Sequence, residues 1–367
     1  MKIIKVDTYL LKLPLTRPVV AAISTGKRGK PCEQIMMPVI HIETDEGFTG
    51  LGYAWTIGTG ATAMLAALKD DFTPMLIDED PLDHERLWQK MYWNTQGVGR
   101  HGVMIQAASA VDLALWDLKG KATNLPIYKL LGGAQESTIV YGSDGGWLNM
   151  EVDEIIEAAE NYMDDGMRGI KLKVGHDDPT IDLERVSQIR EGLGDEMWIA
   201  VDANQKWDFA TALEMGRCFE ALDCAWFEEP MICEDIEGHG RLAAQLDIPI
   251  ALGETLGSKY EIHSFLRANA VDVVQPDITR VGGITEFLKI ISMCDAANRI
   301  VEPHLMMETS VHLACGVAGV SGLEYMPWLT MAFDTPPELV EGRMVPPERP
   351  GLGFEIADGI VDKYRVA

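Results

Sequence analysis

The chain has 367 residues, 47% of them hydrophobic, and a formal net charge of −26 from 31 basic and 57 acidic side chains. That length and apolar content allow a large core, arranged as two domains or as one barrel with a cap. So acidic a body argues against nucleic acid and anionic membrane surfaces as partners. Cys32, Cys218, Cys224, Cys233, Cys294 and Cys315 form no Cys-x-x-Cys pair and read as reduced thiols rather than a zinc or disulfide framework. The start Met1-Lys-Ile-Ile-Lys-Val-Asp7 lacks an apolar signal core, and no run of about twenty uncharged apolar residues occurs, so the cytoplasm is the expected compartment.

In chain order, Lys2–Leu13 is β-rich and stops at Pro14, and a polar glycine-containing loop, Ser24–Lys30, follows. Val39–Thr44 and Phe48–Tyr53 read as a hairpin with Gly47 in its turn. Helical text covers Ala61–Phe72, before Pro74. A longer helix covers Val103–Ala122, with Ala107, Val111, Ala114, Leu115 and Leu118 at helical spacing. This first part is α+β.

From about Ser137 the rhythm changes. Short apolar runs alternate with amphipathic helices: Ile139–Tyr141, Gly169–Lys173, Trp198–Asp202, Ala225–Glu228, Pro249–Glu254, Val271–Asp277, Arg299–His304 and Leu323–Tyr325. Runs roughly 20–30 residues apart suit one strand-helix unit of a (β/α) barrel. A doubly wound open sheet is the alternative, with fewer equivalent units.

Almost every run ends on an ionisable residue: Lys171 and Lys173, then Asp202, Glu228, Glu254, Asp277, His304, with Glu324 in the last. In a parallel barrel those ends meet at one mouth, where active sites form. Asp202, Glu228 and Glu254 come from three successive strands. Gathered carboxylates repel and raise one another's pKa. A hard divalent cation resolves that, and oxygen-only ligands suit Mg²⁺. Taken singly, each is equally read as a salt bridge or a helix cap. Lys171-Leu-Lys173 obeys strand period two, so both ammonium groups face one side, where burial and mutual repulsion lower a lysine pKa and make an amine base available. An amphipathic edge strand with two solvated lysines is the bland alternative. Asp277 and His304 end adjacent strands, and an Asp beside a His fixes its tautomer and stabilises its imidazolium. A buried histidine bonded to backbone, or a metal ligand, is the other reading of His304.

The order Lys-x-Lys, Asp, Glu, Glu, Asp, His, Glu resembles the mandelate racemase subgroup of the enolase superfamily, the mandelate racemase/muconate lactonizing enzyme family. Local text agrees: Val201-Asp-Ala-Asn204, Trp226-Phe-Glu-Glu-Pro230, Gly253-Glu254, Gln275-Pro-Asp277, Gly282-Gly283, Pro303-His304, Pro350-Gly-Leu-Gly353 and Asp112–Asp117. The resemblance covers essentially the whole chain. It implies a (β/α)7β TIM-like barrel over 131–345 and an α+β capping domain over 1–130, joined by the C-terminal segment 346–367.

The resemblance also implies roles. Asp202, Glu228 and Glu254 would bind Mg²⁺, which would hold a small-molecule carboxylate and stabilise the enediolate formed as its α-proton leaves. Lys173 would be the base on one face, and His304, supported by Asp277, the acid/base on the other. Lys171 would neutralise one carboxylate oxygen and Glu324 would hydrogen-bond the other. Asn204 would contact a ligand or the α-hydroxyl, and Ser143 falls where relatives contact the carboxylate. A homo-oligomer is expected on the same ground. Acid-sugar dehydration leads; racemisation, epimerisation or cycloisomerisation is the alternative, and a barrel kept as a binding protein is a third class. Specificity is expected from cap loops at Ser24–Lys30, Tyr53–Gly60 and Trp93–His101. Lys27, Arg28, Lys30, Asn94, Gln96, Arg100 and His101 there suit a polyol, while Trp55, Trp93 and Trp147 suit an aromatic wall.

Overall fold

Tyr9, Leu11 and Leu13 are buried while Lys12 and Pro14 are exposed, the period of a strand with one face on a core. In the computed structural model, which describes residues 1–22 and 31–367, this segment becomes β1 (Ile3–Val19). It pairs antiparallel with β2 (Cys32–Thr44), which pairs with β3 (Thr49–Tyr53). The Ser24–Lys30 loop, with Lys27, Arg28 and Lys30, lies outside the described residues. The expected hairpin is β2–β3, and Gly47 turns it at φ 86°, a conformation costly to any residue with a Cβ.

Gly50 and Gly52 in β3 serve a different end. A Cβ on either would collide with the carbonyl oxygens of Ala114 and Ala110, so the sheet lies directly on the backbone of the helix Val103–Thr123. The helical text at Ala61 does not stop before Pro74. It runs Ala61–Ala66, passes through a π-helical stretch Ala67–Phe72, and resumes as Thr73–Leu76. Pro74 sits in the first turn of that last piece, where a missing N–H goes unmissed.

Eight parallel strands follow among the described residues: β4 (Thr138–Gly142), β5 (Gly169–Lys173), β6 (Trp198–Asp202), β7 (Cys224–Glu228), β8 (Ile250–Leu252), β9 (Val273–Val274), β10 (Ile300–Val301) and β11 (Leu323–Tyr325). A helix joins each to the next. β11 pairs with β4, and the bridge Val301–Val320 joins β10 to the approach of β11, so the sheet closes as a (β/α)7β barrel. β12 (Glu338–Val340) and β13 (Arg343–Val345) form a hairpin whose second strand pairs with Thr138 and Ile139, at the barrel end opposite the mouth. Inside, Tyr141, Trp198 and Trp226 fill the space beneath the mouth with ring centroids 5.0–5.3 Å apart.

One sequence expectation needs correction. The apolar runs end on ionisable residues, but the later strands do not reach them. Glu254 lies two residues past β8, Asp277 three past β9, and His304 three past β10. Gly253 leaves extended geometry at φ 146°, and Pro276 and Pro303 cannot donate to a ladder. These three side chains therefore sit on short loops at the strand tips.

The cap docks on the barrel through side chains that bind backbone. Asp112, in the helix Val103–Thr123, accepts from the Thr285 amide at 2.9 Å and hydroxyl at 2.5 Å, capping the barrel helix Gly283–Ala296 from outside. Ser109 accepts from Gly282 N, and Trp88 donates to Gly282 O. Within the cap, Asp117 accepts from Leu51 N of β3 and from Leu352 N of the returning C-terminal segment, both at 2.8 Å. The chain's end returns to the cap sheet, where Leu10 and Val366–Ala367 exchange backbone hydrogen bonds. Asp112→Ala leaves two buried donors on Thr285 without their acceptor, at a cost of about 1–3 kcal/mol. Urea unfolding should show that loss of stability, and an unchanged midpoint would remove Asp112 from the docking.

All six cysteines are free. Among the described residues no helix is long and apolar enough to cross a membrane.

Candidate active site

Strand period and strand order set the site. Gly169-Ile-Lys-Leu-Lys173 places Lys171 and Lys173 on the inner face of β5, and the neighbouring strand tips deliver Asp202 and Glu228 in register with them. Asp202, Glu228 and Glu254 each offer an oxygen, and these lie within 4.8 Å of one another. Lys173 forms an ion pair with Asp202 at one end of this triad. His304 Nε2 lies 3.1 Å from Glu254 Oε2 at the other end. Lys171 occupies the middle, 2.8 Å from Glu228 Oε1 and 2.8 Å from Glu324 Oε1. The two acid/base groups thus flank the carboxylates from opposite ends.

Hydrogen bonds fix each member. Glu228 accepts from Gln275 Nε2 at 2.8 Å and Trp226 Nε1 at 3.2 Å. Asp202 accepts from Asn204 N and Nδ2. Glu324 accepts from Ser143 Oγ at 2.6 Å and Leu305 N at 2.9 Å. Asp277 holds His304 Nδ1 at 3.0 Å, the pairing expected from adjacent strands.

Burial and mutual charge act together on these groups. Desolvation, with Asp202 adding to it, pushes Glu228 up to about 7. Glu324 is also opposed by desolvation, but Lys171 and His304 bring it down to about 2. His304 loses to desolvation, then gains more from Glu254 and Asp277, and rises to about 10. The lysines depart from the sequence expectation. Desolvation does disfavour their charge and Lys171 lowers Lys173, yet both are raised, because Asp202 and Glu228 face them as counter-ions. Repulsion between the lysines is real but is the smaller effect. Carboxylates this close match the donor set of a divalent cation site: three oxygens, largely buried, each beside a second group that orients it.

Every ionisable residue that the strand pattern singled out is here: Lys171, Lys173, Asp202, Glu228, Glu254, Asp277, His304 and Glu324. Ser143 is present as the partner of Glu324. Asn204 is beside Asp202, with its Oδ1 buried and without a partner among the described residues. Of the cap loops, Tyr53–Gly60 enters the site through Trp55, whose Nε1 donates to Asp277 Oδ2 at 3.0 Å. The polar groups of the Trp93–His101 loop are engaged away from the site, Asn94 and Arg100 locally and His101 with the barrel helix Lys259–Arg267. Asn94 donates to Lys90 O, Arg100 lies over the Tyr92 and Trp93 rings, and His101 pairs with Glu261. Trp93 itself is exposed.

Several contributors were not singled out as site residues. Gln275 was legible, since it alternates with Asp277 in strand period. Arg280 lies three residues past Asp277, with Nε 3.5 Å from Asp277 Oδ2 and Nη1 donating to Glu254 O. Trp328 carried no local signal. It stacks on Trp147 at 5.5 Å and meets Trp55 edge-on at 6.1 Å, so three indoles span the mouth from Lys173, 5.6 Å from the Trp147 centroid, to His304, 6.0 Å from that of Trp55. Trp147 and Trp328 both donate to Asp144 Oδ1, at 3.0 and 3.1 Å, so both indole N–H groups are taken.

Ammonium and imidazole groups at the two ends of a carboxylate triad, with a further lysine between them, define a class: a barrel enzyme that moves protons beside a charged centre. The family is set by comparison with known proteins. The Mandelate racemase / muconate lactonizing enzyme N-terminal domain matches residues 5–132, and the Enolase C-terminal domain-like family matches residues 154–360. The chain belongs to the mandelate racemase/muconate lactonizing enzyme family of the enolase superfamily. It is 40% identical over 353 residues to L-talarate/galactarate dehydratase of Salmonella typhimurium, covering 96% of this chain and 88% of that one. It is 35% identical over 350 residues to 3,6-anhydro-alpha-L-galactonate cycloisomerase of Streptomyces coelicolor, covering 95% of each. The structure of L-talarate dehydratase from Polaromonas sp. JS666, complexed with Mg and L-glucarate, superposes with a TM-score of 0.94 at 40% identity, covering 100% of this chain and 98% of that one.

Proposed function

We propose that this chain is a Mg²⁺-dependent acid-sugar dehydratase, which takes the α-proton from a polyhydroxy carboxylate and expels the β-hydroxyl to leave a 2-keto-3-deoxy acid. The observation that carries the reading is the placement of Lys173 and His304 at opposite ends of the Asp202–Glu228–Glu254 triad. β-Elimination needs one group to accept a proton from carbon and one to give a proton to the departing hydroxyl, and two groups on opposite sides supply both. The similarity to sugar-acid dehydratases supports the same choice.

Asp202, Glu228 and Glu254 would hold the Mg²⁺. When bound, the ion supplies positive charge to the carboxylate whose α-proton is removed. Lys173 Nζ would accept that proton on one face, as the neutral amine it becomes when Mg²⁺ takes up the charge of Asp202, the counter-ion that holds it protonated. Lys171 stays charged and faces one carboxylate oxygen, while Glu324, bonded to Ser143, orients Lys171 and the second oxygen's surroundings. His304 is held as the imidazolium, its Nδ1–H donating to Asp277, and delivers the Nε2 proton to the leaving hydroxyl. Asn204 offers its unpartnered Oδ1 to a substrate hydroxyl, since a buried acceptor without a donor is costly.

The test is incubation with a panel of mono- and dicarboxylic sugar acids, assayed for 2-keto acid. Formation of keto acid is expected, loss after exhaustive chelation, and recovery on adding Mg²⁺. Full activity after chelation would remove the metal from the reading. Ring opening of an anhydro or lactone sugar acid without any dehydration of the panel would replace dehydratase with cycloisomerase.

A further inference from the structure

Asp277 carries a contact that its pairing with His304 does not itself require. Its Oδ1 accepts from Thr279 N and Oγ1, both at 2.7 Å. Its Oδ2 accepts from His304 Nδ1 and from Trp55 Nε1, both at 3.0 Å. Thr279, Arg280 and His304 belong to the barrel. Trp55 belongs to the cap, in the loop that leaves β3.

The indole is held so that its N–H has one direction to point. Trp55 is 3% exposed. The Arg280 guanidinium lies 4.7 Å from its ring centroid, Trp328 meets its edge at 6.1 Å, and the His304 ring lies at 6.0 Å. The β3 strand that leads into it is fixed on the helix Val103–Thr123 through Gly50 and Gly52, so the anchor behind the indole is backbone against backbone.

We propose that Trp55 is a positioning residue for one of the two acid/base groups: its N–H orients Asp277 Oδ2, and through it the His304 imidazole, so that this face is complete only when the cap is docked. On the other face, among the described residues, no cap side chain is hydrogen-bonded to Lys173 or Asp202, and the cap reaches this side through backbone and Asn149 contacts of Pro18 and Val20 with the loop that carries Trp147. Lys173 pairs with Asp202 of β6, its backbone carbonyl accepts from Arg185, and its ammonium lies 5.6 Å from the Trp147 ring centroid, all from the barrel. A carboxylate that orients a histidine works through the direction of its lone pairs. Removing one of the two donors that fix Oδ2 therefore acts on His304 and spares Lys173.

The inference rests on the two-face reading of Lys173 and His304 given above, and solvent exchange separates the two claims. Two C2 epimers of one sugar acid present their α-protons to opposite faces, so uptake of solvent deuterium at C2 reads each face alone. His304→Asn and Lys173→Ala assign the epimers to their faces. In Trp55→Phe, exchange of the His304-side epimer is expected to fall about tenfold in kcat, the usual effect of losing a group that orients a catalytic one. Its KM and the Lys173-side exchange should stay within about twofold. Incorporating a benzothiophene analogue at position 55 keeps the bicyclic ring and removes only the N–H. It should reproduce the asymmetry even where the Phe variant folds poorly. Independently of turnover, the downfield proton resonance of His304 Nδ1–H, identified by its loss in His304→Asn, should shift in the benzothiophene protein. Equal loss on both faces, or no loss on either with an unmoved resonance, would overturn the role of Trp55. Wild-type protein that exchanges neither epimer would instead overturn the two-face reading, leaving the resonance to decide whether Trp55 orients the pair.

Discussion

Lys173→Ala is expected to lose dehydration by about 10²–10⁴-fold or more, the usual contribution of a positioned base, with the fold retained. The barrel gives three reasons. Lys173 ends the inner face of β5, where among the described residues the neighbouring amine is Lys171, which is held between Glu228 and Glu324. The group stands directly against Asp202, so it is positioned relative to the triad rather than to a mobile loop. Its 6% exposure means that solvent base is a poor substitute. Truncation leaves Asp202 with the more distant Lys171, at 4.0 Å, as its counter-ion, which would destabilise a buried carboxylate. A bound cation offsets that, so thermal unfolding should be compared with and without Mg²⁺. Retention of more than about a tenth of wild-type kcat would show that the base lies elsewhere.

His304→Asn is expected to stop keto-acid formation by a comparable factor while uptake of solvent deuterium at the α-carbon continues for the epimer whose proton faces Lys173. Asparagine keeps a hydrogen-bonding group toward Asp277 but cannot exchange a proton near neutral pH, so the two half-reactions come apart. His304 pairs with Asp277 on one nitrogen and approaches Glu254 on the other, which fixes the proton it can give and where it points. If exchange at that epimer ceases along with dehydration, His304 is the base that starts the reaction and Lys173 has the later role. If both continue, neither role belongs to His304.

The ionisable site was legible in the sequence to an unusual depth, for a physical reason. A closed parallel barrel maps strand ends onto one ring, so spacing along the chain becomes neighbourhood in space without further information. Lys171, Lys173, Asp202 and Glu228 needed only strand period and strand order. Glu254, Asp277 and His304 were found by the same reasoning although the strands stop short of them, because the connecting loops are too short to carry them away from the rim. What stayed hidden depends on how the cap meets the barrel. Trp55 pairing with Asp277, Tyr53 with Thr309, and Asp112 with Thr285 join positions with no periodic relation, and nothing local marks them as partners. The lysine charges were misjudged for a related reason. The sequence shows that two ammonium groups share a face, but their balance against Asp202 and Glu228 is a matter of distances.

The uneven strands have a consequence for how such a catalyst can be altered. From β5 to β7 the rim rests on five-residue strands, and Lys173, Asp202 and Glu228 are paired members of that woven frame. On the opposite arc β9 and β10 have two residues each, and Asp277 and His304 ride on the turns beyond them. Lengthening or re-sequencing those turns breaks few sheet hydrogen bonds, whereas the same edit at β5 or β6 cuts into the barrel wall. One half of the rim is therefore a chassis and the other a socket: partner chemistry opposite the lysine can be exchanged turn by turn, by an engineer or by mutation over time, while the metal-facing half stays as it is.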